Sequence, residues 1–178
     1  ATARFGDRPA RDGGRFTDRA PREDRGPRLG DTAFRAQREA LEHAESTLRK
    51  LAAQAHGEAL TQLLDAWQSR NADQLPSVQE LGKAVPPGVR NSWGQALAQV
   101  PTGSTAEPLM RLEMAAEVPT PAEQLEARRA YQLQLLTRRN EPAPAQTWAQ
   151  DVATVLRAAH DPRDGRRLQN VLKVLLRR

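Results

Sequence analysis

The stretch Leu60-Thr61-Gln62-Leu63-Leu64-Asp65-Ala66-Trp67 sets apolar side chains at i, i+3, i+4 and i+7. That spacing is one face of a helix turning every 3.6 residues. Upstream, Phe34, Leu41, Leu48 and Ala55 recur every seven residues, with Ala44 and Leu51 between them. A helix with one apolar stripe is therefore expected from about Asp31, a suitable N-cap. Gly57 interrupts the pattern. It is compatible with a helix that runs on, at about 1 kcal/mol relative to Ala, and with a hairpin. Asn71-Ala72-Asp73 reads as a stop.

Downstream the same periodicity returns in shorter pieces. Ser77 can cap a turn or two of helix reaching Ala84, and Pro86-Pro87-Gly88 breaks it. A helix from about Pro87 to Gln99 is expected to carry Val89, Trp93, Ala96, Leu97 and Val100 on its apolar stripe. Ser104 or Thr105 can cap a helix with Leu109, Leu112 and Ala116. Thr120-Pro121-Ala122-Glu123 has the form of a capping box with Pro at the first helical position, opening a helix to about Arg139. Trp148, Val152, Val155, Leu156 and Ala159 line the next helix. Asp161-Pro162 then starts a last one, lined by Leu168, Val171, Leu172 and Leu175. No strand pattern of useful length is present. The fold class is all-α, a multi-helix bundle of about six helices, with Trp67, Trp93 and Trp148 on apolar stripes as core anchors.

A different composition precedes the helices. Arg4, Arg8, Arg11, Arg15, Arg19, Arg22, Arg25 and Arg28 are spaced three or four apart among Gly, Pro and Asp. Arg4-Phe5-Gly6-Asp7-Arg8 returns as Arg15-Phe16-Thr17-Asp18-Arg19 and more loosely as Arg22-Glu23-Asp24-Arg25-Gly26. Such a segment buries too little apolar surface to fold, so a disordered Arg/Gly/Asp-rich N-terminal tail is expected. The expected organisation is a tail or linker over 1–31, a helical subdomain over 32–100, and a second over 101–178 packed on the first. Eight Arg against five acids give the tail +3 of the chain's net +5, so the helical body is nearly balanced.

The arginine forks can bind phosphate and stack on bases, and Phe5 and Phe16 can stack as well. The functional reading is an RNA- or DNA-binding arm. The five acids (Asp7, Asp12, Asp18, Glu23 and Asp24) repel phosphate and weigh towards the other reading, a solvated, charge-alternating linker. With only the net charge counted, the salt slope on single strands is about −2. A second basic surface is expected on the last helix. Arg163, Arg166, Lys173 and Arg177 fall opposite its leucine stripe, with Arg167 and Arg178 at the flanks. The competing reading is the ordinary solvated face of a packed helix.

No enzyme chemistry is expected. The chain has no Cys, which excludes disulfides, thiolate metal sites and a cysteine nucleophile. His43, His56 and His160 form no i, i+4 pair, so no metal is expected. Pro101-Thr102-Gly103-Ser104-Thr105 lacks the frame of a phosphate loop. Glu113 and Glu117, one turn apart, read as solvated surface acids. No cofactor is called for. No apolar run approaches the roughly 20 residues that span a bilayer, and no leader with an apolar segment is visible. A cytoplasmic protein is expected. The start at Ala1 reads as a segment of a longer chain, with upstream domains among its partners.

Arg111-Leu112-Glu113-Met114-Ala115-Ala116-Glu117-Val118-Pro119-Thr120-Pro121-Ala122-Glu123, followed by Arg128-Arg129-Ala130-Tyr131-Gln132-Leu133-Gln134, resembles the C-terminal region of the bacterial domain-of-unknown-function family numbered 349. The likeness covers residues 109–136. It implies a long, helical bacterial cytosolic protein with this chain as its C-terminal part and the arginine-rich stretch as an internal linker. It implies no activity and no catalytic residues. Two readings of function follow. One is a non-enzymatic helical binding module with a basic arm, whose partner is RNA or an acidic protein. The other is a protein–protein scaffold in which the tail only links.

Overall fold

A computed structural model describes residues 29–177. They form seven α-helices, α1 (Leu29–Ser69), α2 (Val78–Leu81), α3 (Val89–Ala98), α4 (Ala106–Ala116), α5 (Leu125–Thr137), α6 (Pro144–Arg157) and α7 (Pro162–Leu175). Two 3-10 turns, Ala72–Gln74 and Ala122–Gln124, interrupt the series, and there is no strand among the described residues. The class is all-α. The expected disordered segment lies outside the described residues as far as position 28. Its last residues, 29–31, instead begin α1. Asp31 is thus in the first turn, where its carboxylate meets the positive end of the helix.

The contacts divide the chain into two compact units, Ala1–Ser46 and Thr47–Arg178, with the boundary inside α1. In the first unit every described side chain from residue 30 onward is exposed. Phe34 and Leu41, expected on an apolar stripe, are each more than half exposed, as are Leu48 and Leu51 beyond the boundary.

The second unit is built around one apolar cluster. Leu60, Leu63 and Trp67 bring the C-terminal part of α1 into it, with Leu64 half-buried beside them. Trp93, Ala96 and Leu97 come from α3, Leu109 and Leu112 from α4, Val152, Val155 and Leu156 from α6, and Leu168, Val171, Leu172 and Leu175 from α7. α6 packs on α3 and α4, and α4 also packs on α7. Two tryptophans are fully buried and spend their indole N–H inside: Trp67 Nε1 donates to the Ala158 carbonyl at 2.9 Å and Trp93 Nε1 to that of Ala149 at 2.9 Å. Trp148 is half-buried against the cluster. Val100 is exposed, because α3 stops two residues before it.

Two of the expected caps form as local chemistry dictates, while at α4 the N-cap Thr105 makes no side-chain cap bond and Ser104 Oγ instead accepts from the Ala106 amide at 3.2 Å. Ser77 and Glu80 form a reciprocal capping box on α2, and the Asp161 side chain accepts from the Arg163 amide with Pro162 at the first position of α7. The box expected at Thr120 does not form. Pro121 precedes a 3-10 turn with no side-chain cap, and the Thr120 hydroxyl accepts from Arg128 Nη1 at 2.7 Å. A guanidinium with a fixed position displaces the amide that the motif would have used. Glu123 is likewise drawn away, to Arg163 Nη2 at 3.3 Å.

α1 runs through Gly57 without a break, and a Cβ there would meet nothing within 4 Å. Gly57→Ala therefore removes backbone freedom from the unfolded chain without a clash. Urea unfolding should show a gain of about 0.5–1 kcal/mol, whereas a loss would mean that the helix bends at this point.

Candidate nucleic-acid interface

α7 is strongly two-sided. Leu168, Val171, Leu172 and Leu175 are buried. Arg163, Arg166, Asn170, Lys173 and Arg177 are exposed. Arg163, Arg166, Asn170 and Lys173 recur at steps of three and four and form a single row about 15 Å long on α7, and Arg177 follows in the turn just after the helix. Among the described residues no carboxylate of α7 lies in the row, and Glu123, from the segment before α5, meets only its Arg163 end. The one acid of α7, Asp164, is turned away and accepts from the Thr105 hydroxyl at 2.7 Å.

The four cations predicted on this helix do not share one environment. Arg163 pairs with Glu123 at 3.3 Å in an exposed contact, of the kind worth little net energy. Arg166, Lys173 and Arg177 form no ion pair among the described residues. Lys173 also sits in the last turn, where a cation complements the helix dipole. The flanking Arg167 is turned inward, its Nε donating to Glu113 Oε1 at 2.9 Å and its Nη2 to Gln124 at 2.9 Å. Arg4, Phe5, Arg8, Arg11, Arg15, Phe16, Arg19, Arg22, Arg25 and Arg28, the proposed contacts of the N-terminal segment, lie outside the described residues, as does Arg178.

A histidine reports on the field of the row. His56, half-buried on α1, has its Nε2 atom enclosed without a hydrogen-bond partner. Burial holds its imidazole below the ordinary histidine range, and the Arg177 and Lys173 charges push it further down against a backbone hydrogen bond at Lys173. The folded protein thus resists protonation at His56. Stability falls as pH drops from about 6.5 toward the folded value. The groove beside the row, lined in part by Gln54, Glu58, Thr61, Asp65 and Lys173, carries two carboxylates. The face open to an anion is the row, not this groove.

Two inward clusters were not legible as sites. Glu113 is only 3% exposed, where the spacing with Glu117 predicts a solvated acid. Burial pushes its carboxyl above the usual range against the pull of Arg167 and Arg128. Asp151 is shifted the same way by burial, against Arg111, which bonds both its oxygens at 3.1 and 3.2 Å and donates to Thr147 at 2.7 Å. For both acids the contribution to stability is greatest when protonated. It declines as pH rises from the ordinary carboxylate range to the folded value. Arg111 also lies over the Tyr131 ring, 5.2 Å from its centre. These arginines join α4 to α6, α7 and the segment before α5.

A third feature is apolar. Met110 on α4 and Ala127, Ala130 and Tyr131 on α5 line a groove of about 390 Å³. No side chain of α5 is fully buried, and Leu133 and Leu136 face solvent. Among the described residues no group of three or more His, Cys, Asp or Glu is placed to hold a metal ion. No helix there is long and apolar enough to cross a membrane. Comparison with protein-family models, with curated proteins and with solved structures finds no match to the chain.

Arg177→Ser should raise the His56 pKa, because it removes the stronger of the two repelling charges. Titration of the His56 ring proton resonances by NMR measures this. An unchanged or lowered value would mean that the row exerts no field on its surroundings.

Proposed function

We propose that this chain is a non-enzymatic helical binding module that holds single-stranded RNA in the cytoplasm. The bundle presents the cationic row of α7, and the arginine-rich segment before residue 29 adds capture. One observation carries this reading: Arg166 and Lys173 on α7, with Arg177 just past its end, are exposed and form no ion pair among the described residues, while the other face of α7 is locked into the core. Polyanions release condensed counterions when cations replace them, so such a row gives affinity without sequence preference. Phe5 and Phe16 supply stacking surfaces in this scheme.

A second reading is a protein scaffold within a longer bacterial chain, in which the arginine-rich segment only links and upstream domains are the partners. The open α4–α5 groove and the exposed Leu133 and Leu136 favour it. The likeness over residues 109–136 supports it equally.

Binding of a fluorescent oligouridylate at several salt concentrations separates the two. Affinity should fall with salt. Replacing Arg166, Lys173 and Arg177 together by Ser should reduce the slope of log affinity against log salt by about 2. Removal of residues 1–28 should weaken binding independently. Salt-independent binding, or indifference to both changes, would overturn the RNA reading.

A further inference from the structure

The exposed part of α1 has a heptad pattern that nothing in the described residues covers. Residues 30–55 are all exposed and helical. Helices in water owe most of their stability to packing of an apolar face, so a stretch of this length calls for a partner. Phe34, Leu41, Leu48 and Ala55 occupy one core position of the heptad, and Gln37, Ala44 and Leu51 occupy the other.

We propose that α1 pairs in antiparallel fashion with α1 of a second copy of this chain. The pattern complements itself better in that direction. Placed antiparallel, the small Ala44 faces the partner's Leu41, Phe34 faces the partner's Leu51, and Gln37 faces the partner's Leu48. Each layer then repeats across a two-fold axis passing between Glu42 and His43. Large residues meet smaller or differently shaped ones, which keeps the layers evenly filled.

The flanks agree. On one side Ala33, Ala40 and Thr47 are small and let the backbones approach. On the other side Arg38 faces the partner's Glu45, and the symmetry makes that contact twice. Arg38 already points outward and holds Glu42 of its own helix at 3.0 Å in an exposed pair, so engaging a second carboxylate needs no desolvation of a buried charge. A parallel pair would do worse on every count. It would stack Gln37 on Gln37, leave a gap at Ala44, and set Ala40 opposite Glu45 with no ion pair.

Light scattering on the full chain should give twice the monomer mass, and a monomer at every concentration would overturn the proposal. Direction is read by cross-linking, since the chain has no cysteine of its own. Phe34→Cys and Leu51→Cys chains, mixed and treated with a short bismaleimide, should join to each other. Each alone should not, because like positions would lie about 26 Å apart along the axis. Joining of each variant to itself would show a parallel pair and overturn the assignment. Arg38→Glu should weaken the dimer about tenfold, and the double variant Arg38→Glu with Glu45→Arg should restore it. Failure to restore would overturn the contact. Near-ultraviolet dichroism of the buried Trp67 and Trp93 confirms in each case that the bundle is intact.

Discussion

Three helix ends converge on one guanidinium. α1 closes in a Schellman motif: the Arg70 amide donates to the Trp67 carbonyl at 3.2 Å and the Asn71 amide to that of Ala66 at 3.0 Å. The left-handed position of such a motif normally belongs to glycine, and here it holds Arg70 at φ 51°. The cost is about 1–2 kcal/mol. What offsets it is the side chain. Nη1 donates to the carbonyls of Leu156 and Ala158 at 3.2 and 3.0 Å, and Nη2 to those of Ala96 and Gln99 at 3.1 and 2.9 Å. The C-termini of α3 and α6 leave carbonyls without partners and carry partial negative charge. A single cation answers both. Trp67 bonds the same Ala158 carbonyl from one turn earlier. The junction therefore fixes the C-terminal end of α1 against α6 and α3, and α6 is the helix on which α3 and α4 pack.

Arginine in this protein serves two purposes that composition cannot separate. Arg70, Arg90, Arg111, Arg128 and Arg167 point inward and bond carbonyls, hydroxyls or buried carboxylates; Arg90, for example, holds the Pro76 and Leu75 carbonyls at 2.7 and 3.2 Å. Removing one partner of a buried pair such as Arg167 and Glu113 strands a charge at low dielectric, so loss of either side chain alone is costly. Arg166 and Lys173 of α7, with Arg177 just after it, form no ion pair among the described residues. The surface presented to a partner is thus set by which arginines the fold has already used.

Helical periodicity was sufficient to place most of the second unit. Leu60 to Trp67, the leucine stripe of the last helix and the Asp161-Pro162 start all lie where their spacing puts them, because each is a local signal. The failures are long-range. Thr120 to Glu123 has the form of a cap, yet Arg128 and Arg163 take its side chains, and no local rule reveals that competition. Glu113 shows nothing in its neighbours that marks it as buried; its partner Arg167 is 54 positions away. Arg70 precedes a plain stop signal, and its role depends on two other helices ending beside it. The seven-residue stripe from Phe34 is correct as periodicity but does not say what covers it, since a stripe has the same form in a core and at an interface.

The dependence of the bundle on Arg70 is tested most directly by urea unfolding of Arg70→Gly beside the parent chain. Glycine removes the backbone cost and leaves the four carbonyls without their cation. The net result predicted is a loss of about 2 kcal/mol, with Arg70→Ala lower still because it keeps the unfavourable dihedral. A glycine variant as stable as the parent, or more so, would contradict the account: the junction would then be held by apolar packing alone.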